Sequence, residues 1–136
     1  RATEVALILQ SLMPSLTDDT GMMMRVGLHS GHVVAGVVGT KDPRFHLFGH
    51  TVLFANKMES HGLPGKVHIS DATFSRLTPL IEDKKIEVEP RGEIAVHGEE
   101  GMHRTYFVKK SNWGKEKRRT MLLKRGRTKR MTFVPT

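Results

Sequence analysis

The sequence predicts an α+β fold, a sheet with its helices packed on one side. Two observations carry that prediction. The apolar periods run helix, two strands, a short strand, helix, strand, helix and three strands, without regular strand–helix alternation. The chain has 136 residues, 38% hydrophobic and 26% charged, which suits one soluble domain with a real core.

The elements follow in order. Ala2 to Met13 places Val5, Leu7, Ile8, Leu9, Leu12 and Met13 at helical spacing, and Pro14 is expected to end that helix. Arg1 carries no cap signal, so the helix reads as the end of something cut. Thr17 to Gly21 is a turn cluster. Met22 to Ser30 and His32 to Val38 are β-branched-rich runs parted at Gly31, expected as a hairpin or two adjacent strands. Gly27, Gly31, Gly36 and Gly39 interrupt them, as glycines do where another backbone comes close. Phe45 to Phe48 is a short strand. Thr51 to Ser60 is a helix with Val52, Ala55, Met58 and Glu59 at helical spacing, stopped by Gly62, Pro64 and Gly65. Lys66 to Ser70 is a strand. Asp71 is expected to cap a helix over Ala72 to Leu77 that stops before Pro79. Lys85 to Glu89 alternates as a half-exposed strand does, Pro90-Arg91-Gly92 is a turn, and Ile94 to His97 is a strand. Gly98 to Gly101 turns into a closing strand over Arg104 to Val108.

Composition removes several kinds of chemistry. With no cysteine, disulfide scaffolds, Cys zinc fingers, iron–sulfur ligation and thiol catalysis are excluded. No apolar run approaches the roughly 20 residues of a membrane span. No cationic segment precedes the first apolar helix, so no signal peptide is expected. The net charge of +8 is unevenly placed. Lys109 to Thr136 holds eleven Lys and Arg against one acid, whereas Arg1 to Val108 holds eleven against thirteen. The basic character therefore belongs to a tail. Its plain reading is a solvated, disordered segment; its sharper one is an arm making weak contact with a membrane surface or nucleic acid. Trp113 and Phe133 could stack on bases there.

Other motifs resolve to plain roles. Gly36 to Lys41 lacks the Walker spacing and its strand–loop–helix setting. Eight histidines raise a metal hypothesis, but no pair sits at helical spacing with a glutamate between, and no metal ligand is assigned. Spacing suggests no Ser-His-Asp set. Met22-Met23-Met24 reads as gap-filling core.

Several linked segments then share one register. They are Arg25 to Gly31, Val33 to Gly39 (VVAGVVG), Pro43 to Gly49, Ala55 to Ser60, Gly62 to Ser70 with Ala72-Thr73, Arg91-Gly92, His97-Gly98 and Thr105 to Val108. In order and spacing over Met24 to Val108 they resemble the class III nucleotide cyclases. Within that family the chain looks most like guanylate cyclases. The segment FGHTVLFANKMES is similar to the alpha-type subunit of the soluble enzyme.

The resemblance implies a ferredoxin-like class III sheet, truncated at its N-terminus. Residues 1–110 would be the C-terminal part of a cyclase domain and 111–136 the basic tail. It implies conversion of GTP to cyclic GMP and pyrophosphate at a cleft between two cyclase domains. The ribose 3′-hydroxyl attacks the α-phosphorus in line, and Mg²⁺ or Mn²⁺ is held by two aspartates. Those aspartates lie upstream of this chain's first helix; Asp18 and Asp19 do not match them and read as turn residues.

Residue by residue, Lys57 stands at the family's transition-state arginine, keeping charge without the bidentate fork. Leu53 stands at the ribose-orienting asparagine and cannot hydrogen-bond. His97 stands at the lysine that meets the terminal phosphates. His46 stands at the base-reading position, with Phe48 and Gly49 beside it as nucleotide-binding candidates. His29 belongs to a strand motif and reads as structural. The expectation is an alpha-like, metal-donating half of a heterodimer that binds GTP with a second cyclase domain, inactive as this fragment alone. The alternative is a regulatory pseudo-cyclase that dimerises without turnover. The resemblance places such a chain in the cytoplasm, or on the cytoplasmic side of a membrane-anchored parent.

Overall fold

The structure, a computed structural model, describes residues 1–16 and 20–112. The elements are α1 (Ala2–Leu16), β1 (Val26–Leu28), β2 (Val34–Val38), β3 (Arg44–Phe48), α2 (His50–Ser60), β4 (Val67–Ser70), α3 (Asp71–Glu82), β5 (Ile86–Ala95) and β6 (Met102–Lys110). Four strands form the main sheet in the order β1-β4-β6-β5, with β1 parallel to β4 and the other pairs antiparallel. β2 and β3 form a separate antiparallel ribbon. The hairpin is therefore β2 with β3, not β1 with β2. β1 instead finds β4, a parallel pairing that needs a crossover, and α2 supplies it.

Register assigns the sheet faces. Val26, Val67 and Val108 align across three strands, as do Leu28, Ile69 and Tyr106. Their face carries the larger core, where Ala6 and Leu7 of α1 and Phe74, Leu77, Leu80 and Ile81 of α3 cover Val67, Ile69, Ile86 and Val108. The expected one-sided packing holds for α1 and α3. α2 lies on the opposite face, over Gly27 and His68. A Cβ on Gly27 would sit 2.0 Å from the Glu59 backbone nitrogen, so only glycine lets the helix lie this close.

Three expected boundaries move. Pro14 lies inside α1, in its last turn. Pro79 lies inside α3, which continues to Glu82. The Ser75 carbonyl, which Pro79 cannot satisfy, instead accepts a bond from the Thr78 hydroxyl at 3.1 Å. Ser70, not Asp71, caps α3, its oxygen accepting from the Thr73 amide. The two strands expected on either side of Pro90-Arg91-Gly92 are one strand. β5 bulges there, with Pro90 opposite Tyr106 and Gly92 opposite Thr105. The extra residue changes the phase of the alternation. Ile86 thus serves the α1/α3 core, while Ile94 joins Phe54, Met58 and Val96 beneath α2. Pro90 is tolerated because β5 is an edge strand.

Candidate functional site

α2 carries two of the six sequence-predicted residues, Leu53 and Lys57. Gly49, at φ 121°, is the single residue between β3 and α2. The Thr51 hydroxyl donates to the His32 carbonyl at 2.7 Å and fixes the start of the helix against the preceding loop. The helix buries Phe54 and Met58 and leaves Val52 and Leu53 exposed. This is a different face from the one its apolar spacing suggested. Leu53 and Lys57, one turn apart, share the neighbouring stripe. Lys57 is half-buried, and its ammonium has no ion pair among the described residues. Arg25 and Glu59 pair at 2.9 Å near the helix end.

His97 follows Val96, which packs in the Phe54–Met58 cluster, so its turn lies beside the same helix. The strand ends at Ala95, two residues short of expectation, and His97 is an exposed turn residue. His46 and Phe48 stand apart on β3, their rings 5.8 Å from each other. Their ribbon is apolar yet uncovered: Val34, Val37, Val38, Phe45, Leu47 and Phe48 are all exposed. The structure thus gathers Leu53, Lys57 and the His97 turn around α2, and sets His46 and Phe48 on the strand that feeds it, with Gly49 at the junction.

Sequence reasoning missed a ring of histidines around Phe54. His29 stacks on Phe54 at 4.2 Å, and His103 and His50 meet it edge-on at 5.2 and 6.5 Å. They face a recess of about 460 Å³ that also includes Asp71, Glu99 and Arg104. His29 is held to Ser70 by a 2.7 Å hydrogen bond, which gives its structural reading a geometry. Burial pushes its pKa down, His50 and His103 add to that, and Glu99 opposes it. His68, fully buried, bonds through Nδ1 to the Met58 carbonyl at 2.6 Å; burial lowers its pKa too. The signal for this ring was the Phe54/Met58 spacing; nothing local links residues 29, 50 and 103.

Among the described residues no group of three or more His, Asp or Glu could hold a metal ion, so these residues do not fit the family's metal site. Asp18, Asp19 and the basic tail from Trp113 lie outside the described residues. No described helix is long and apolar enough to cross a membrane.

Comparison with known proteins accounts for this arrangement. The profile of the adenylate and guanylate cyclase catalytic domain matches residues 1–110. The chain is 48% identical over 98 residues to the soluble guanylate cyclase gcy-34 of Caenorhabditis elegans, covering 69% of this chain and 14% of that protein. It is 51% identical over 87 residues to the guanylate cyclase soluble subunit beta-2 of Rattus norvegicus, covering 64% and 12%. The chain therefore spans about an eighth of the length of these curated relatives. In three dimensions it is similar to the guanylate cyclase domain of RhGC from Catenaria anguillulae, solved with GTP. The TM-score is 0.69 at 34% identity, over 81% of this chain and 58% of that one. A beta-type subunit among these relatives means that they do not single out an alpha-type chain. With its motifs in one register, its sheet superposing on a cyclase domain and residues 1–110 matched, the chain belongs to the adenylate and guanylate cyclase catalytic domain family.

Proposed function

We propose that this chain is part of a guanylate cyclase catalytic domain that converts GTP to cyclic GMP and pyrophosphate at an interface with a second cyclase domain, as the alpha-like half of a heterodimer. The observation that carries the reading is the placement of an uncovered apolar ribbon beside α2. β2–β3 exposes apolar side chains on both of its faces, and its last strand runs through Gly49 into the helix bearing Leu53 and Lys57. Such a surface suits a protein partner. A site shared across that interface would face the substituted positions.

The chemistry forms a bond from the ribose 3′-oxygen to the α-phosphorus and breaks the bond to the bridging oxygen of the departing pyrophosphate. Lys57 would approach the phosphates as a point charge. His97 would stand where the resemblance expects a lysine for the terminal phosphates. Leu53 gives the ribose no hydrogen bond. His46, with Phe48 and Gly49, would lie beside the base. Divalent metal would be held by the family's two aspartates, which the resemblance places upstream of this chain. A cytoplasmic setting, free or membrane-anchored, fits this substrate.

Leu53, 60% exposed at a position that should orient the ribose, also favours a second reading, a pseudo-cyclase that dimerises and regulates. The test is the full-length protein against its triple variant Leu53→Asn, Lys57→Arg, His97→Lys, each assayed without a partner. The heterodimer reading expects no cyclic GMP from the native protein and measurable product from the variant. A silent variant that still dimerises would favour the pseudo-cyclase. A native protein as active as the variant would overturn the assignment of these three positions.

A further inference from the structure

Phe54 is the side chain that seats the first half of α2 on the sheet, and its contacts are unusual. Three imidazoles, from His29 after β1, His50 on α2 and His103 on β6, surround one phenyl ring. Neutral imidazoles pack there as aromatic rings. Charged ones would crowd positive charge into a small, partly buried space.

Compensation for that charge is limited. Glu99, on the turn between β5 and β6, lies 2.9 Å from His50 and can balance one proton. Asp71, at the start of α3, accepts the Tyr106 hydroxyl at 2.9 Å. Arg104 on β6 adds another positive charge to the same recess. The His103 Nε2 atom is buried without a hydrogen-bond partner, so a proton added there gains no acceptor. At the far end of α2, His68 lies under Met58 and Arg25 pairs with Glu59. Among the described residues, a charge on His50 thus meets Glu99, whereas no ion pair awaits one on His29 or His103.

We propose that His29 and His103 form an acid-operated latch on α2: neutral, they clasp Phe54 and hold the helix to the sheet; once either is charged beside the His50–Glu99 pair, the helix lifts. The proposal stands on packing and charge and does not depend on the catalytic reading above. The lowered His29 pKa agrees in sign. A group that resists its proton when folded binds fewer protons than the unfolded chain, so stability is lost as pH falls through the ordinary histidine value of 6.5.

The experiment is amide hydrogen exchange on the full 136-residue chain at about pH 7.5 and about pH 5.5, corrected for intrinsic exchange. The latch predicts that α2 loses protection by about tenfold at the lower pH while α1 and α3 hold theirs. In the double variant His29→Gln, His103→Gln the loss should shrink below about threefold. Equal loss in all three helices, or undiminished loss in the variant, would overturn the proposal, the latter by pointing to His68. Should the variant not fold, ring-proton titration of the native chain decides. Loss of α2 protection should follow the first proton taken up by His29 or His103. Loss that follows the His68 ring instead would contradict the latch.

Discussion

Gly27 sets the distance between α2 and the sheet. Its missing side chain is what brings the Met58–Glu59 backbone against β1, so Gly27→Ala places a methyl group where no atom can move aside cheaply. Overpacking against backbone should cost about 3 kcal/mol or more, read as a lower urea midpoint with unchanged slope. A variant as stable as the native chain would mean that α2 does not sit where the structure places it. The glycine was visible in the sequence as one of four in a β-rich run, and close backbone approach was the expected reason. Which glycine mattered was not visible. Gly36, equally suggestive in the sequence, has open space where a Cβ would stand. Contact between elements 30 residues apart decides this, and no local pattern encodes it.

Elements were legible by type and less so by boundary. Each helix and strand run is recognisable from its period, but of the three prolines expected to stop helices only Pro64 lies outside one; Pro14 and Pro79 lie inside. In α3 the apolar stripe continues through Leu80 and Ile81 into the main core, and that burial outweighs the lost bond. The helix therefore carries a local defect. Pro79→Ala should return an amide donor to the Ser75 carbonyl and raise unfolding stability by about 1–3 kcal/mol, measured by urea denaturation. A decrease would show that the proline ring contributes packing that outweighs its missing bond. β5 misled for a different reason. Pro90-Arg91-Gly92 has turn chemistry, yet β6 is long enough to pair on both sides of it, so the tripeptide becomes a bulge. That bulge is why evenly spaced apolar residues can serve two opposite faces.

At the scale of the whole molecule, two cores share one sheet. α1 and α3 close the larger, and α2 closes the smaller with Phe54, Met58, Ile94 and Val96. The smaller core sits beneath Leu53, Lys57 and the turn at His97. Family membership was legible because several motifs keep one register from Met24 to Val108. The histidine ring around Phe54 was not, because only folding joins its members. The uncovered β2–β3 ribbon, together with the roles proposed for Leu53, Lys57 and His97, argues for a chain that works with a partner. The most direct measurement is cyclic GMP formation from GTP with Mn²⁺ by the full-length protein, alone and mixed with a beta-type partner. The account predicts product in the mixture and none from this protein alone. No product in any mixture, beside a reference pair that works, would contradict it.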